Sequence, residues 1–525
     1  MLSVEALTLF AAYVATIWFY RWMRPRTRSL PLPPGPKRLL FVGNYFSMPS
    51  SCEWVTYSKW CKEYNSDIIY LKVFGMSMIV LNTYETSSEL LESRSSIYSG
   101  RLQSTMVNEL MGWDFDLGFA QYGEKWSAYL NSKFSRNLFH PAAAELYKPQ
   151  LLTAARDFLL TCLEDPEVLS NLKLMAAKTI MRISYGLDVT SKDDPFVKTA
   201  ENAMKPVSTA ILPGAFLVDM LPILKHVPDW VPGAGFKRQA KDWNNKRLDM
   251  LNLPYEAAKQ ALNSGKFRPS IVSQNLQRLQ EEVDAKNVRY SIDEEDVKAI
   301  AGVVYTGGAD TTVTAISSCI LAALEYPEVL RKAQQEIHDV LGEIRLPDFT
   351  DMDSLPYCTA VVKEAMRWRP VLPINLPHQV MTDDEYRGYR IPAGSIIIQN
   401  AWAMLHDENV YPDPFAFKPE RFIRHGKLDP SVRDPTKICF GAGRRICPGR
   451  FMAFPAVWIT VVSMMAVFDI EKSVDERGNV IEPDHGFAPG IVSSPNRITC
   501  TIKPRSKEAE ALIQASASCD YTQGL

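Results

Sequence analysis

Hydrophobic positions recur at helical spacing over most of the chain, and Leu151–Leu163, Leu172–Ile183, Pro327–Leu341 and Leu355–Trp368 each predict a helix with one apolar face. Residues Asp67–Asn82 are instead two β-rich runs broken at Gly75, the pattern of a hairpin. A second strand pair is expected at Tyr386–Ile391 and Ser395–Gln399, around Pro392-Ala-Gly394. No βαβ alternation runs through the chain, so the expected fold is mainly α with small β-sheets. Val4–Trp22 carries one acid, Glu5, and is otherwise apolar or hydroxylic until Arg21. About 17 to 20 such residues at roughly 1.5 Å each just span a bilayer. Arg21, Arg24, Arg26, Arg28, Lys37 and Arg38 follow with no acid among them, which places the following body on the cytoplasmic side. These charges flank the wrong end for a cleaved signal peptide. The expected organisation is an N-terminal transmembrane anchor over 1–22, a basic, proline-rich hinge over 23–38, a catalytic body over 39–505 and a flexible tail over 506–525. Pro31-Leu-Pro-Pro-Gly-Pro36 should be a stiff extended connector, and Gln280–Asn287 a polar surface loop.

One predicted helix opens at Ser291-Ile-Asp-Glu294, a capping box, and meets no proline before Pro327, a run of about 35 residues or roughly 52 Å. Its middle is Thr306-Gly-Gly-Ala-Asp-Thr-Thr312, where each glycine costs about 1 kcal/mol and Asp and Thr compete for backbone hydrogen bonds. Such a conflict inside a good helix marks either function or a tight helix crossing.

Composition narrows the partners. The 525 residues are 46% hydrophobic and 22% charged, a globular balance, and Lys+Arg 58 against Asp+Glu 60 leaves a net charge of -2. A chain this close to neutral does not call for nucleic acid as its partner. Nine cysteines, with no CxxC pair and no Cys/His cluster, do not form a disulfide framework or a zinc site.

The most specific string is Phe440-Gly-Ala-Gly-Arg-Arg-Ile-Cys-Pro-Gly449. Its glycines permit tight turns, and Pro448 suits the first position of a helix starting just after Cys447. A cysteine at a helix N-terminus is biased toward thiolate, a form suited to bind iron. Taken bare, one cysteine among nine is more often a buried filler. The string, however, matches at every specified position the haem-binding signature Phe-x-x-Gly-x-Arg-x-Cys-x-Gly, and the chain therefore resembles the cytochrome P450 family.

That resemblance implies the P450 fold, with Cys447 as the thiolate ligand of a b-type haem, Arg445 at a haem propionate and Phe440 packed near the thiolate. Phe440, Gly443 and Gly449 shape the cofactor turn. Glu364-Ala-Met-Arg367, on its own only an i,i+3 ion pair, joins Arg421 of Phe417-Lys-Pro-Glu-Arg421-Phe to resemble the family's buried Glu-Arg-Arg triad. Gly307-Gly-Ala-Asp-Thr-Thr312 resembles the signature of the helix crossing the distal haem face, with Asp310 and Thr311 as the acid–alcohol pair that relays protons. Ser96-Ile-Tyr-Ser-Gly-Arg101, Asn108–Gly118 and Tyr122-Gly-Glu-Lys-Trp126 look like mushroom P450s, and among those most like tryptamine 4-hydroxylases.

One departure stands out. The family's Trp-x-x-x-Arg motif grips a propionate, but here Trp126 is followed by Ser127 and Leu130 where Arg is common. The stretch Ser127 to Lys133 is read as a true variant or an altered gene model. His378 in Leu376-Pro-His378 resembles a second propionate contact. The implied activity is insertion of one oxygen atom from O2 into a hydrophobic or aromatic molecule, an indole-ethylamine leading and polycyclic or terpenoid compounds following. NADPH would act only through a cytochrome P450 reductase, with cytochrome b5 as a second electron partner, at the endoplasmic reticulum membrane. The expected lining is Gln103–Asp116, Tyr305–Thr312, Val371–Leu376 and Ala488–Val492, with Glu109, Asp114 and Asp116 as acids that could meet an amine. The alternatives are an isomerase or dehydratase of the same fold, which would be expected to lack the Asp–Thr pair, and a haem protein impaired by the altered Trp126 helix.

Overall fold

The computed structural model describes residues 30–124, 126–127, 139–211, 214–284, 293–486 and 491–516. The expected anchor Val4–Trp22 and its arginines through Arg28 lie outside these residues, as do Leu130 and the rest of the stretch up to Lys133. Pro31–Pro36 has no regular structure. The Tyr70 N–H donates to Pro34 O at 2.8 Å and the Arg390 N–H to Pro31 O at 2.9 Å, so this connector bridges two different sheets.

Strands β1 (Ile68–Val73) and β2 (Met76–Leu81) form the expected hairpin, turning through Phe74 at φ +46° and Gly75 at φ +89°. Two successive positive φ angles match the twist of a two-residue hairpin. The second expected strand pair is corrected. β3 (His378–Gln379), β4 (Asp384–Tyr386), β5 (Tyr389–Ile391) and β6 (Ile396–Gln399) divide between two sheets. β5 folds back on β4 through Arg387-Gly388, while β6 crosses to lie parallel to β2 and antiparallel to β3. Burial decides the partner, because Ile396, Ile397 and Ile398 are all buried and a continuous apolar run is satisfied only where both sheet faces are covered.

The long helix is continuous over Glu294–Glu325 and apolar on all sides, as befits a helix packed among others. It lies against Val168–Tyr185, Arg450–Val467 and Pro356–Trp368. Its capping box is set by Asp293 and Asp296, not by Ser291, which lies outside the described residues. Gln280–Asn287 is not a loop as far as Asp284, since the helix Ile271–Asp284 carries it, with Leu276 and Leu279 against the core and Gln280 and Glu281 exposed; residues 285–287 lie outside the described residues. The tail expected to be flexible from 506 is also corrected. Lys507–Ser516 is a helix with Ala509 and Ile513 buried against the core around Pro141–Glu164, an apolar face too short to stand out in sequence.

Candidate active site

Cys447 sits in a loop closed by its own backbone N–H donating to Phe440 O at 2.7 Å. Gly443 is obligatory there: its φ is +60° and a Cβ would stand 1.9 Å from Leu91 O. The helix Arg450–Val467 takes Gly449 as N-cap, two residues later than the proline suggested, and the Arg450 guanidinium donates to Cys447 O at 2.9 Å. Contrary to expectation, burial pushes the Cys447 thiol up, and the Gly449 N–H and Arg450 charge only partly oppose it. The helix terminus alone does not make the thiolate; a coordinating metal ion does.

Three cationic or cation-forming side chains gather beside this loop. Arg445 donates to Ser99 O at 2.8 Å, Leu117 O at 3.0 Å and Ala120 O at 2.9 Å, and its guanidinium lies 4.2 Å from the Trp126 ring centroid. Arg101 donates to Gly118 O at 2.9 Å, Leu376 O at 2.8 Å and Pro377 O at 2.9 Å. His378 has Nδ1 at 2.8 Å from Tyr98 O, which leaves Nε2 for another partner. All three are buried, and none has a carboxylate partner among the described residues. Burial, and then Arg445, pushes Arg101 down to about 9; burial pushes Arg445 down to about 10; burial, then Arg101, pushes His378 well below its ordinary value. Trp126 Nε1 is buried without a hydrogen-bond partner. Buried like charges with no counter-ion are costly, so the cluster is built around an anion that the chain itself does not provide. A haem, with its two propionates, fits this donor set and the single thiol. Arg101 was not assigned a role from sequence; an arginine in a loop carries no spacing that could reveal it.

Along the long helix, Thr311 Oγ1 donates to Gly307 O at 2.6 Å and Thr314 Oγ1 to Asp310 O at 2.8 Å, so both hydroxyls bond back to the preceding turn. The two glycines differ. A Cβ on Gly308 would meet Ile180 Cδ1 at 2.5 Å, a tight crossing, whereas one on Gly307 meets nothing within 4 Å. Gly307 and Asp310 are exposed on a helix otherwise mostly buried, and no hydrogen bond joins the Asp310 and Thr311 side chains.

Of the expected lining segments, Gln103–Asp116 meets this helix, where Thr306 Oγ1 donates to Asp116 Oδ2 at 2.9 Å; just beyond Val492, Ser494 shares a hydrogen bond of 2.7 Å with Thr314 and the Ser493 N–H donates to Val371 O at 2.9 Å. Residues 487–490, including Ala488, lie outside the described residues. Of the three acids, Glu109 pairs with Lys225 at 2.6 Å and Asp114 is exposed, while Asp116 is buried. Glu364 receives Arg367 Nε at 2.7 Å, Arg421 Nε at 3.1 Å and the Lys418 N–H at 2.8 Å. This brings the three expected triad residues together, with Glu364 and Arg367 fully buried.

Comparison with known proteins agrees with this geometry. The family described as cytochrome P450 matches residues 33–501. Cytochrome P450 monooxygenase 98 of Postia placenta is 45% identical, covering 92% of both chains. Cytochrome P450 monooxygenase ple1 of Rhodocybe pseudopiperita is 41% identical over 98% of this chain and 96% of its own. The tryptamine 4-monooxygenase of Psilocybe cyanescens is 41% identical over 92% of this chain and 95% of its own. With a glycine-built cysteine loop, anion-seeking cations beside it and relatives of this kind along its length, the chain belongs to the cytochrome P450 family of oxidoreductases.

Proposed function

We propose that this chain is a membrane-anchored monooxygenase that puts one oxygen atom from O2 into an aromatic substrate, an indole-ethylamine being the leading candidate. Electrons would come from NADPH through a reductase partner. The observation that carries the reading is the set of Arg101, Arg445 and His378, buried near Cys447 with no carboxylate partner among the described residues. Haem held there by Cys447, with its propionates on those side chains and Trp126, supplies the reduction of O2 and the transfer of one oxygen atom. The protein's part is proton supply and positioning. Asp310 is exposed on its turn and can exchange protons, and Thr311, next to it, presents a hydroxyl that can turn from Gly307 O toward the open side of Gly307. The intact Asp310–Thr311 pair favours oxygen transfer over isomerisation. Substrate class is supported by the apolar, aromatic lining at Trp113, Phe115 and Phe119 and by the likeness to a tryptamine 4-monooxygenase.

Residence at the endoplasmic reticulum membrane is supported by the apolar stretch Val4–Trp22 and by exposed Leu40, Phe41 and Phe46 close behind it in the chain. Exposed Leu217, Leu221, Ile223 and Trp230 supply further apolar surface suited to lipid. The test is the reduced carbon-monoxide difference spectrum of the full chain in yeast microsomes, with Cys447→Ala as control, followed by substrate-dependent NADPH consumption with added reductase. A thiolate-type band lost in the control is expected; abundant protein with no band would overturn the reading.

A further inference from the structure

The loop 116–120 is held from two sides. Arg101 and Arg445 spend their donors on the carbonyls of Leu117, Gly118 and Ala120, and the long helix grips the loop through Thr306. Between these holds lies Asp116, more than nine-tenths buried, with no cation at ion-pairing distance among the described residues. Its Oδ1 accepts the Gly118 N–H at 2.7 Å and its Oδ2 the Thr306 hydroxyl at 2.9 Å, which leaves acceptor positions unused on an ionised carboxylate. Burial pushes this carboxyl up. Closing the 116–118 turn does not require an acid, since asparagine would accept the same N–H.

Thr306 makes the site tolerant of either charge state. Its one hydroxyl proton has two acceptors, Asp116 Oδ2 at 2.9 Å and Val303 O at 3.1 Å. When Asp116 is protonated, its O–H donates to Thr306 Oγ1 and the Thr306 proton goes to Val303 O. When Asp116 is ionised, the Thr306 hydroxyl turns to donate to it. Neither state strands a buried donor. Thr306 immediately precedes Gly307, whose Cβ direction is open, and one turn earlier on the same helix a Cβ at Gly302 would stand 3.5 Å from the Phe115 ring, which packs 5.5 Å from Trp113 between ring centroids.

We propose that Asp116, backed by Thr306, is the positioning residue that receives the ammonium group of a protonated aromatic amine and so selects which end of the substrate faces the opening at Gly307. This rests on the monooxygenase reading and narrows its substrate class. An ammonium group would take the acceptor positions left open on the ionised carboxylate, with the Thr306 hydroxyl donating to the same Oδ2.

The test uses the haem-loaded full chain and its Asp116→Asn variant, titrated with tryptamine and with the neutral isostere 3-propylindole. Affinity is read from the substrate-induced Soret shift. The parent should bind tryptamine at least tenfold more tightly than 3-propylindole. In Asp116→Asn the tenfold preference should vanish while 3-propylindole binds as before. Thr306→Val, which keeps the Arg101 and Arg445 holds on the loop, should lose several-fold affinity for the amine alone, and it keeps the idea testable if Asp116→Asn fails to hold haem. Equal weakening of both compounds in these variants, or no preference for the amine in the parent, would overturn the assignment. A parent with an intact carbon-monoxide band and no amine preference sinks only this inference, whereas loss of the band itself sinks the monooxygenase reading.

Discussion

Arg101 joins Arg445 and His378 from a loop some 25 residues before Trp126, after which Leu130 stands where the family's Trp-x-x-x-Arg motif has arginine. Its guanidinium cannot easily lose its charge, so burial is tolerable only with an anion close by. Arg101→Ala should raise the rate of haem transfer to apomyoglobin by about one to two powers of ten, the equivalent of roughly 1.5–3 kcal/mol for a lost charged hydrogen bond. An unchanged rate would remove Arg101 from the cofactor site. His406 illustrates the opposite outcome, a buried base kept neutral. It stacks on Trp402 with ring centroids 4.3 Å apart, and burial, then the Arg367 charge, pushes it down to about 3. An unfolded histidine titrates near about 6.5, so below that pH the unfolded chain takes up a proton the folded chain refuses. The stability is present above about 6.5 and is lost, as pH falls toward 3, at up to about 1.4 kcal/mol per unit. His406→Phe keeps the stacking and removes the titration. Its thermal midpoint should fall less than the parent's between pH 7 and pH 5, and parallel curves would refute the assignment.

On the long helix two neighbouring glycines carry different loads, which sequence alone presented as one conflict. Gly308 lets the helix cross Val168–Tyr185 closely, since a Cβ would strike Ile180 Cδ1 at 2.5 Å. Gly308→Ala should therefore cost about 1–3 kcal/mol through overpacking, and Ile180→Val should recover part of it. Gly307 has no such neighbour. Gly307→Ala should gain up to about 1 kcal/mol from helix propensity yet slow turnover, because the new methyl projects into the space beside Thr311. Thermal midpoints and product formation on the same preparations separate the two. If Gly307→Ala destabilised as much as Gly308→Ala, the opening assigned to Gly307 would not exist.

Across the whole molecule, the Glu364 network ties the Pro356–Trp368 helix to the segment 412–421 that precedes the cysteine loop. Arg367 donates to Glu364, Leu405 O and Pro414 O, so losing the carboxylate strands a fully buried cation. Glu364→Gln should cost about 3–5 kcal/mol and sharply reduce the yield of protein with a thiolate-type carbon-monoxide band; a normal yield and midpoint would show the network to be dispensable. The amino-acid sequence by itself determined the helical body, the Gly75 hairpin and the cysteine loop, because each rests on local chemistry: period, turn conformation, and a string of residues within one loop. It also marked Asp310, Thr311, Glu364, Arg367 and Arg421 through short-range patterns. What the tertiary structure decided is everything that depends on distant segments meeting. β6 chose β2 over its neighbour β5 because three successive isoleucines need cover on both faces. The 507–516 helix packs on Pro141–Glu164, more than 300 residues away in the chain, as well as on Arg450–Val467. Arg101 and Asp116 acquired their roles because folding removed them from water, and a charge becomes chemically decisive only where the solvent that would have screened it is gone.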